Sequence, residues 1–191
     1  MPLDASSLAG KAAGGDTDAF AALYDLFFSR IYNYVRYRCN DDETADDLTA
    51  QIFERVLVKV ASYSPANGSF EPWLFTIARN IVTDYHRNRR LRIIVSWEEI
   101  DTIPSNEISP EEAAENRNFE NQVLAALSFL KNNEREMLGL RFGLGLKNHE
   151  IAELTGLREG NVAVKLHRAT QRLREIIEAS PEFEKQEAFD G

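Results

Sequence analysis

The 191-residue sequence predicts an all-α protein: two small helical domains joined by a flexible acidic linker, the C-terminal domain carrying a helix-turn-helix. Three observations predict this. Apolar residues recur at three- and four-residue spacing in segment after segment, with no convincing alternating strand. Residues 147–174, KNHEIAELTGLREGNVAVKLHRATQRLR, read as two short helices around a tight turn, the second basic along its length. The acidic excess is concentrated in two segments, residues 91–120 and 180–191.

Taken in order, a small-residue N-terminal arm precedes a helix capped by Asp16 or Thr17 that runs to about Cys39. Its apolar face is Phe20, Leu23, Phe27, Ile31, Tyr34 and Val35. Asn40-Asp41-Asp42 breaks it and caps a second helix over about 43–61, with Leu48, Ile52, Phe53, Val56, Leu57 and Val60 on one face. Residues 62–69, SYSPANGS, are a loop by composition. Pro72 suits the first turn of a third helix through Trp73, Ile77 and Ile81 to about Arg90. Residues 93–109 form the linker. Ser109-Pro110-Glu111-Glu112 is a capping box opening a helix to about Leu130. Asn132 or Asn133 caps the next helix, which Gly143 and Gly145 end. In the helix-turn-helix, Gly156 supplies the turn at a position suited to positive φ. The domains therefore span 16–92 and 110–179, with 180–191 a frayed tail.

The net charge of −9 argues against a nucleic-acid partner only until it is located. Residues 91–120 hold eight acidic and two basic side chains, and 180–191 four acidic and one basic, which accounts for the whole imbalance. Residues 121–179 carry nine basic against seven acidic groups. Local field, not total charge, governs attraction to phosphate. No apolar run approaches the ~20 residues needed to span a bilayer. The N-terminus has no secretory pattern. Cys39 is the single cysteine, so a cytoplasmic setting fits. Asp41, Asp42, Asp46 and Asp47 cluster, but no histidine pair, phosphate loop or nucleophile motif accompanies them. Neither a catalytic site, nor a metal site, nor a cofactor is expected.

Two constellations carry chemistry. In the helix-turn-helix, Val162, Leu166, Ala169 and Leu173 pack the second helix, while Lys165, Arg168 and Arg172 lie off that stripe, free to meet phosphates or enter a major groove. In the third helix, Arg79, Arg87, Arg89, Arg90 and Arg92 face only Asp84, with Trp73, Phe75 and Tyr85 interleaved. Aromatic platforms beside cations suit single-stranded nucleic acid, with Tyr63, Asn67 and Phe70 in the preceding loop able to pocket an extruded base. The competing reading makes Trp73, Ile77 and Ile81 core and the arginines a solvated helix end.

With both constellations in place, the chain resembles the extracytoplasmic-function (ECF) class of bacterial RNA polymerase sigma factors over nearly its full length. DDLTAQIFERVLVKV looks like the helix that docks on the polymerase clamp coiled coil. SYSPANGSFEPWLFTIARNIVTDYHRNRR looks like the element that melts and reads the minus-ten promoter region. ALSFLKNNEREMLGLRFGLGLKNHEIAELTGLREGNVAVKLHRATQRLR looks like the minus-thirty-five reader. The resemblance implies a cytoplasmic, non-enzymatic sigma factor that binds RNA polymerase core through clamp and flap, recognises and melts promoter DNA, and is held by an anti-sigma factor. It assigns polymerase contact to Asp47, Leu48, Gln51, Phe53 and Arg55, with Phe53 also readable as core. It assigns the minus-ten element to Tyr63, Asn67, Phe70, Trp73, Arg79, Asn80, Tyr85 and Arg87. The minus-thirty-five contacts fall on Arg158, Asn161, Lys165, Arg168 and Arg172.

The chain departs from the family pattern in places. Lys147 and Arg158 stand where serine usually begins each helix of the motif, and both are poor N-caps, so Asn148 or a shifted start would substitute. Ala163 and Val164 replace a cation and a hydroxyl where base edges would be read. In the docking helix Ala50-Gln51 replaces the usual Gln-Glu pair. The alternatives are a helix-turn-helix regulator that never docks on polymerase, a polymerase-binding decoy and, least supported by motifs, an enzyme.

Overall fold

The structure, a computed structural model, describes residues 4–39, 41–95 and 122–179. The linker beyond Val95, the Ser109–Glu112 helix start and the tail 180–191 lie outside them, as does the side chain of Asn67. Among the described residues every regular element is helical. They are α1 (Ala5–Ala13), α2 (Thr17–Arg38), α3 (Asp42–Val60), α4 (Phe70–Val95), α5 (122–128), α6 (Asn132–Leu138), α7 (Asn148–Thr155) and α8 (Glu159–Glu178).

Caps explain most boundaries. The Asp16 carboxylate accepts from Ala19 N at 3.0 Å to start α2, and Asp41 accepts from Thr44 N at 2.7 Å to start α3. Two caps differ from expectation. α6 begins after Lys131, not after Asn132 or Asn133, and α7 begins after Lys147 without a shifted start. A lysine side chain has no acceptor to offer. The helix instead reaches back: Glu134 Oε2 accepts from Lys131 N (2.9 Å) and Glu150 Oε2 from Lys147 N (2.6 Å). Each is half of a capping box, and it answers the apparent defect at Lys147.

The N-terminal arm is itself helical, contrary to the expectation from sequence. Asp4 caps α1, and Leu8, Ala9 and Ala12 bury against α2. α2 is the common partner of the fold: α1, α3 and α4 pack around it on one side and the C-terminal half on another. Phe27, Ile31, Tyr34 and Val35 of α2 are essentially inaccessible.

The C-terminal half has a small core of its own in Leu127, Leu130, Leu138 and Ala169. Met137, Leu140, Leu144, Leu146, Ile151, Val162 and Leu166 instead join the core of the N-terminal half. Arginines and glycines make the seam. Arg38 Nη1 donates to the Asn132 carbonyl at 2.7 Å, and Arg135 Nε returns the contact to the Tyr37 carbonyl at 2.9 Å. Arg30 donates twice to the Leu144 carbonyl, at 2.9 and 2.6 Å, with its guanidinium over the Phe75 ring at 4.8 Å. α6 passes into a single π-helical turn, Gly139–Gly143, that lies on α2. A Cβ on Gly143 would stand 2.6 Å from Tyr34 Cα, so only glycine permits this approach.

Candidate nucleic-acid and polymerase interface

The helix-turn-helix forms as its spacing requires. α7 buries Ile151 and ends on Gly156 in the left-handed region, φ 72°, whose N–H closes on the Ala152 carbonyl at 2.9 Å. On α8, Val162, Leu166 and Ala169 are buried and Leu173 half-buried. Asn161, Lys165, Arg168 and Arg172 precede these by one residue each, so they form a parallel stripe turned about 100° around the helix. All four are exposed, as is Arg158 at the N-cap. The structure thus brings the whole C-terminal set onto one surface. Arg172 alone has an ionic neighbour there, Glu175 at 3.4 Å, a solvated pair of little strength.

The loop and α4 divide the other set. Tyr63 and Phe70 are buried, 8 % and 1 % exposed. Their rings meet edge-on at 5.4 Å, and Trp73 lies 5.6 and 5.5 Å from them. Tyr63 Oη also donates to the Gly68 carbonyl, at 3.0 Å, bracing the turn. Both rings therefore close on one another and on Trp73, supporting the loop, and do not form the open walls of a pocket for an extruded base; of the expected stacking platforms Phe75 is buried, 2 % exposed, while Trp73 and Tyr85 are half-buried. The conformation of 65–67 is a 3₁₀ turn ending at Gly68, φ 121°. Asn80 and Arg87 are exposed, Arg87 beside Asp84 at 3.0 Å. Arg79 is half-buried, and its Nε donates to Glu136 Oε1 of α6 at 2.7 Å.

In α3, Asp47, Gln51 and Arg55 repeat every fourth residue along one exposed face. Leu48 and Phe53 are 3 % and 6 % exposed, so both belong to the core, Leu48 also forming part of the floor of the cleft beside Gln51 and Arg55. Phe53 packs against Tyr24, ring centroids 4.6 Å apart. Leu57, assigned to the apolar face by periodicity, is 55 % exposed. Gln51 and Arg55 share a cleft of about 510 Å³ with Tyr85, Asn88 and Arg89 of α4. The polymerase and minus-ten sets thus meet along the α3–α4 groove, a proximity that no spacing in the sequence reveals. Two members of the Asp41–Asp47 cluster have structural roles: Asp41 caps α3 and Asp42 pairs with Arg36. Among the described residues no group of three or more His, Cys, Asp or Glu side chains is placed to hold a metal.

Of the groups that titrate unusually, two bear on reactivity and on the arginine-rich wall of α4. Burial pushes the Cys39 thiol up to about 11, leaving it inert as a nucleophile. His86, behind the arginines of α4, is pulled down to about 4, first by burial and then by Arg38, Arg135, Arg89 and Arg90. The unfolded chain binds a proton near pH 6.5 that the folded chain refuses until about pH 4, so His86 costs stability as pH falls through that window. With its partial exposure discounted, the loss is about 1–2 kcal/mol. Denaturant melts from pH 7 to 4 should show a shallower acid loss in His86→Gln than in the parent; identical slopes would place the imidazole in ordinary solvent.

Residues 23–92 match sigma-70 region 2, and residues 120–173 match sigma-70 region 4. The ECF RNA polymerase sigma factor BldN of Streptomyces coelicolor is 33% identical over 170 residues, 89% of this chain and 64% of that protein. The ECF RNA polymerase sigma factor SigM of Bacillus subtilis is 28% identical over 155 residues, 81% of this chain and 92% of that protein. The chain spans 64% of BldN and, in a third comparison, 57% of SigE of Mycolicibacterium smegmatis, so it covers under two thirds of both relatives. Two solved structures share the fold. CnrH in complex with the cytosolic domain of CnrY gives a TM-score of 0.67 at 23% identity, covering 93% of this chain and 99% of that one. RpoE in complex with the anti-sigma factor NepR, from Bartonella quintana, gives 0.69 at 22% identity, covering 84% and 98%. With both regions in order, a helix-turn-helix in the second and this likeness over most of its length, the chain belongs to the ECF class of RNA polymerase sigma factors.

Proposed function

We propose that the chain is a dissociable subunit of bacterial RNA polymerase that directs initiation at particular promoters. The observation that carries this is the pairing of two separate nucleic-acid surfaces on one chain: the exposed stripe of α8 and the aromatic-basic α4 beside the α3 groove. The N-terminal half, 16–92, docks on core polymerase through Asp47, Gln51 and Arg55 and takes unstacked non-template bases at Trp73, Asn80, Tyr85 and Arg87. Asn67 is assigned to the same loop. The C-terminal half, 110–179, grips the upstream duplex with Arg158, Asn161, Lys165, Arg168 and Arg172. These side chains position the helix on phosphates more than they read bases. The acidic segment 93–109 links the two, so moderate contacts add through effective concentration. The chain itself catalyses nothing; polymerase makes the phosphodiester bonds. An anti-sigma protein that holds the two halves is the expected inhibitor, a partner of the kind that NepR is to RpoE in the Bartonella complex.

Run-off transcription with purified core polymerase and a library of promoter fragments tests this. Transcripts that need the chain and share an upstream element are expected. Polymerase binding without transcripts would indicate a decoy, and duplex binding without polymerase a simple regulator. Trp73→Ala should impair promoter opening, read by permanganate reactivity of unpaired thymines, more than polymerase binding; equal loss of both would make Trp73 a packing residue only.

A further inference from the structure

Where α4 runs past the turn between α5 and α6, the two halves enclose a recess of about 820 Å³, the size of sites that hold nucleotide-scale ligands. Arg38, Arg79, Arg87, Arg90 and Lys131 line it; among the described residues Arg79 is engaged by Glu136 on the same wall and Arg87 by Asp84 at 3.0 Å. A smaller recess of about 250 Å³ shares Arg38, His86, Arg90 and Asn132 and adds Arg89 and Arg135. Arg38 is 4 % exposed, yet its Nε is buried with no hydrogen-bond partner. A buried donor left unmet is destabilising until a ligand satisfies it. Arg90 and Lys131 are exposed and have no ion-pair partner among the described residues. His86 Nε2, on the same wall, is also buried and unpartnered.

We propose that this recess is a binding site for a compact polyanion carrying two or more phosphate groups, held between the two halves of the chain. Guanidinium forks match phosphate oxygens two at a time, and Arg38, Arg90 and Lys131 converge on the recess with no carboxylate partner among the described residues. The orphaned Arg38 donor and the neutral His86 ring nitrogen supply fixed polar contacts beneath the flexible cations. The His86 imidazole is depressed first by its burial and then by the same positive field. One wall comes from α4 and the other from the Lys131–Asn133 start of α6, so a bound anion ties the halves together. Binding to this arrangement alone stabilises it by mass action. The anion also takes up Arg87, which the proposed minus-ten surface uses. That last consequence rests on the proposed function; the binding does not.

The test is calorimetric titration of the full chain with inorganic pyrophosphate, at constant ionic strength and without polymerase or promoter. Its failure is thereby separate from failure of the sigma-factor reading. One saturable site is expected, weakened at least about tenfold, the equivalent of 1.4 kcal/mol, in Arg90→Ala/Lys131→Ala. The charge-matched Lys11→Ala/Lys59→Ala, on exposed faces of α1 and α3, should bind as the parent does. Equal loss in both double variants would mean diffuse charge attraction and overturn the site. A single-stranded oligothymidylate that binds with the Arg90/Lys131 dependence, where pyrophosphate does not, would overturn it in favour of a nucleic-acid strand. In the unaltered chain, pyrophosphate should shift the His86 ring resonances and raise their titration midpoint; resonances that stay fixed at saturating pyrophosphate would overturn the site without any variant.

Discussion

Gly143→Ala is expected to lower the melting midpoint by about 6–16 °C, the equivalent of a loss near 3–4 kcal/mol in a chain of this size. The added methyl would meet Tyr34 Cα at 2.6 Å, Tyr34 N at 2.7 Å and the Asn33 carbonyl carbon at 3.1 Å. All three are backbone of α2, which carries the core and cannot yield as a side-chain tip would. The π-helical turn must therefore lift away, and with it the Arg30 contact to Leu144 and the burial of Leu140 and Leu144. Gly145→Ala is the control: φ is +72° there, but nothing lies within 4 Å, so only the left-handed penalty of about 1–2 kcal/mol applies. Small-angle scattering should show the Gly143 variant expanded and the Gly145 variant compact. Equal shifts in the two melts would mean that the close approach to α2 contributes nothing.

The second large effect is on DNA. Replacing Lys165, Arg168 and Arg172 together by alanine is expected to weaken promoter duplex binding by the polymerase complex about a hundredfold near physiological salt, and to reduce its log–log salt slope by about 3. Each cation stands exposed on the stripe next to the buried face of α8, so truncation removes charge without opening the core. The loss should be nearly uniform across upstream sequences, because phosphate contacts position rather than specify. Anisotropy titrations across a salt series measure both quantities. An unchanged slope with lost affinity would move the contact from phosphate to base edges.

The helices with aspartate caps and broad apolar stripes, α2 and α3, were legible in the sequence because local chemistry and packing agree there. The helix-turn-helix was legible for the same reason, down to the left-handed Gly156. α1 was not: Ala9 and Ala12 are small, and only burial against α2 makes a face of them. Phe53 and Leu57 sit four residues apart on a pattern that cannot say where a helix face leaves the core, and the structure buries one and exposes the other. Least legible was the seam between the halves. Beside the apolar residues that join the N-terminal core, it is held by guanidinium contacts to carbonyls and a glycine contact to backbone, which leave no hydrophobic periodicity to read. Arg38 and Arg135 look like surface charges in the sequence and are 4 % and 6 % exposed in the fold.

The 26 unbroken residues of α4 make it a rod of about 39 Å. Trp73 and Arg87, fourteen positions apart, are fixed about 21 Å from one another and within about 40° of the same side. On the proposed function that separation is a gauge between two points of contact with one strand. Its calibration is rigid in both length and angle. One inserted residue between them would turn the far end by about 100°, whereas seven would restore the facing and lengthen the gauge by about 10 Å. Drift along this helix is therefore quantised: changes that keep both contacts on one side come in whole turns, not in single residues.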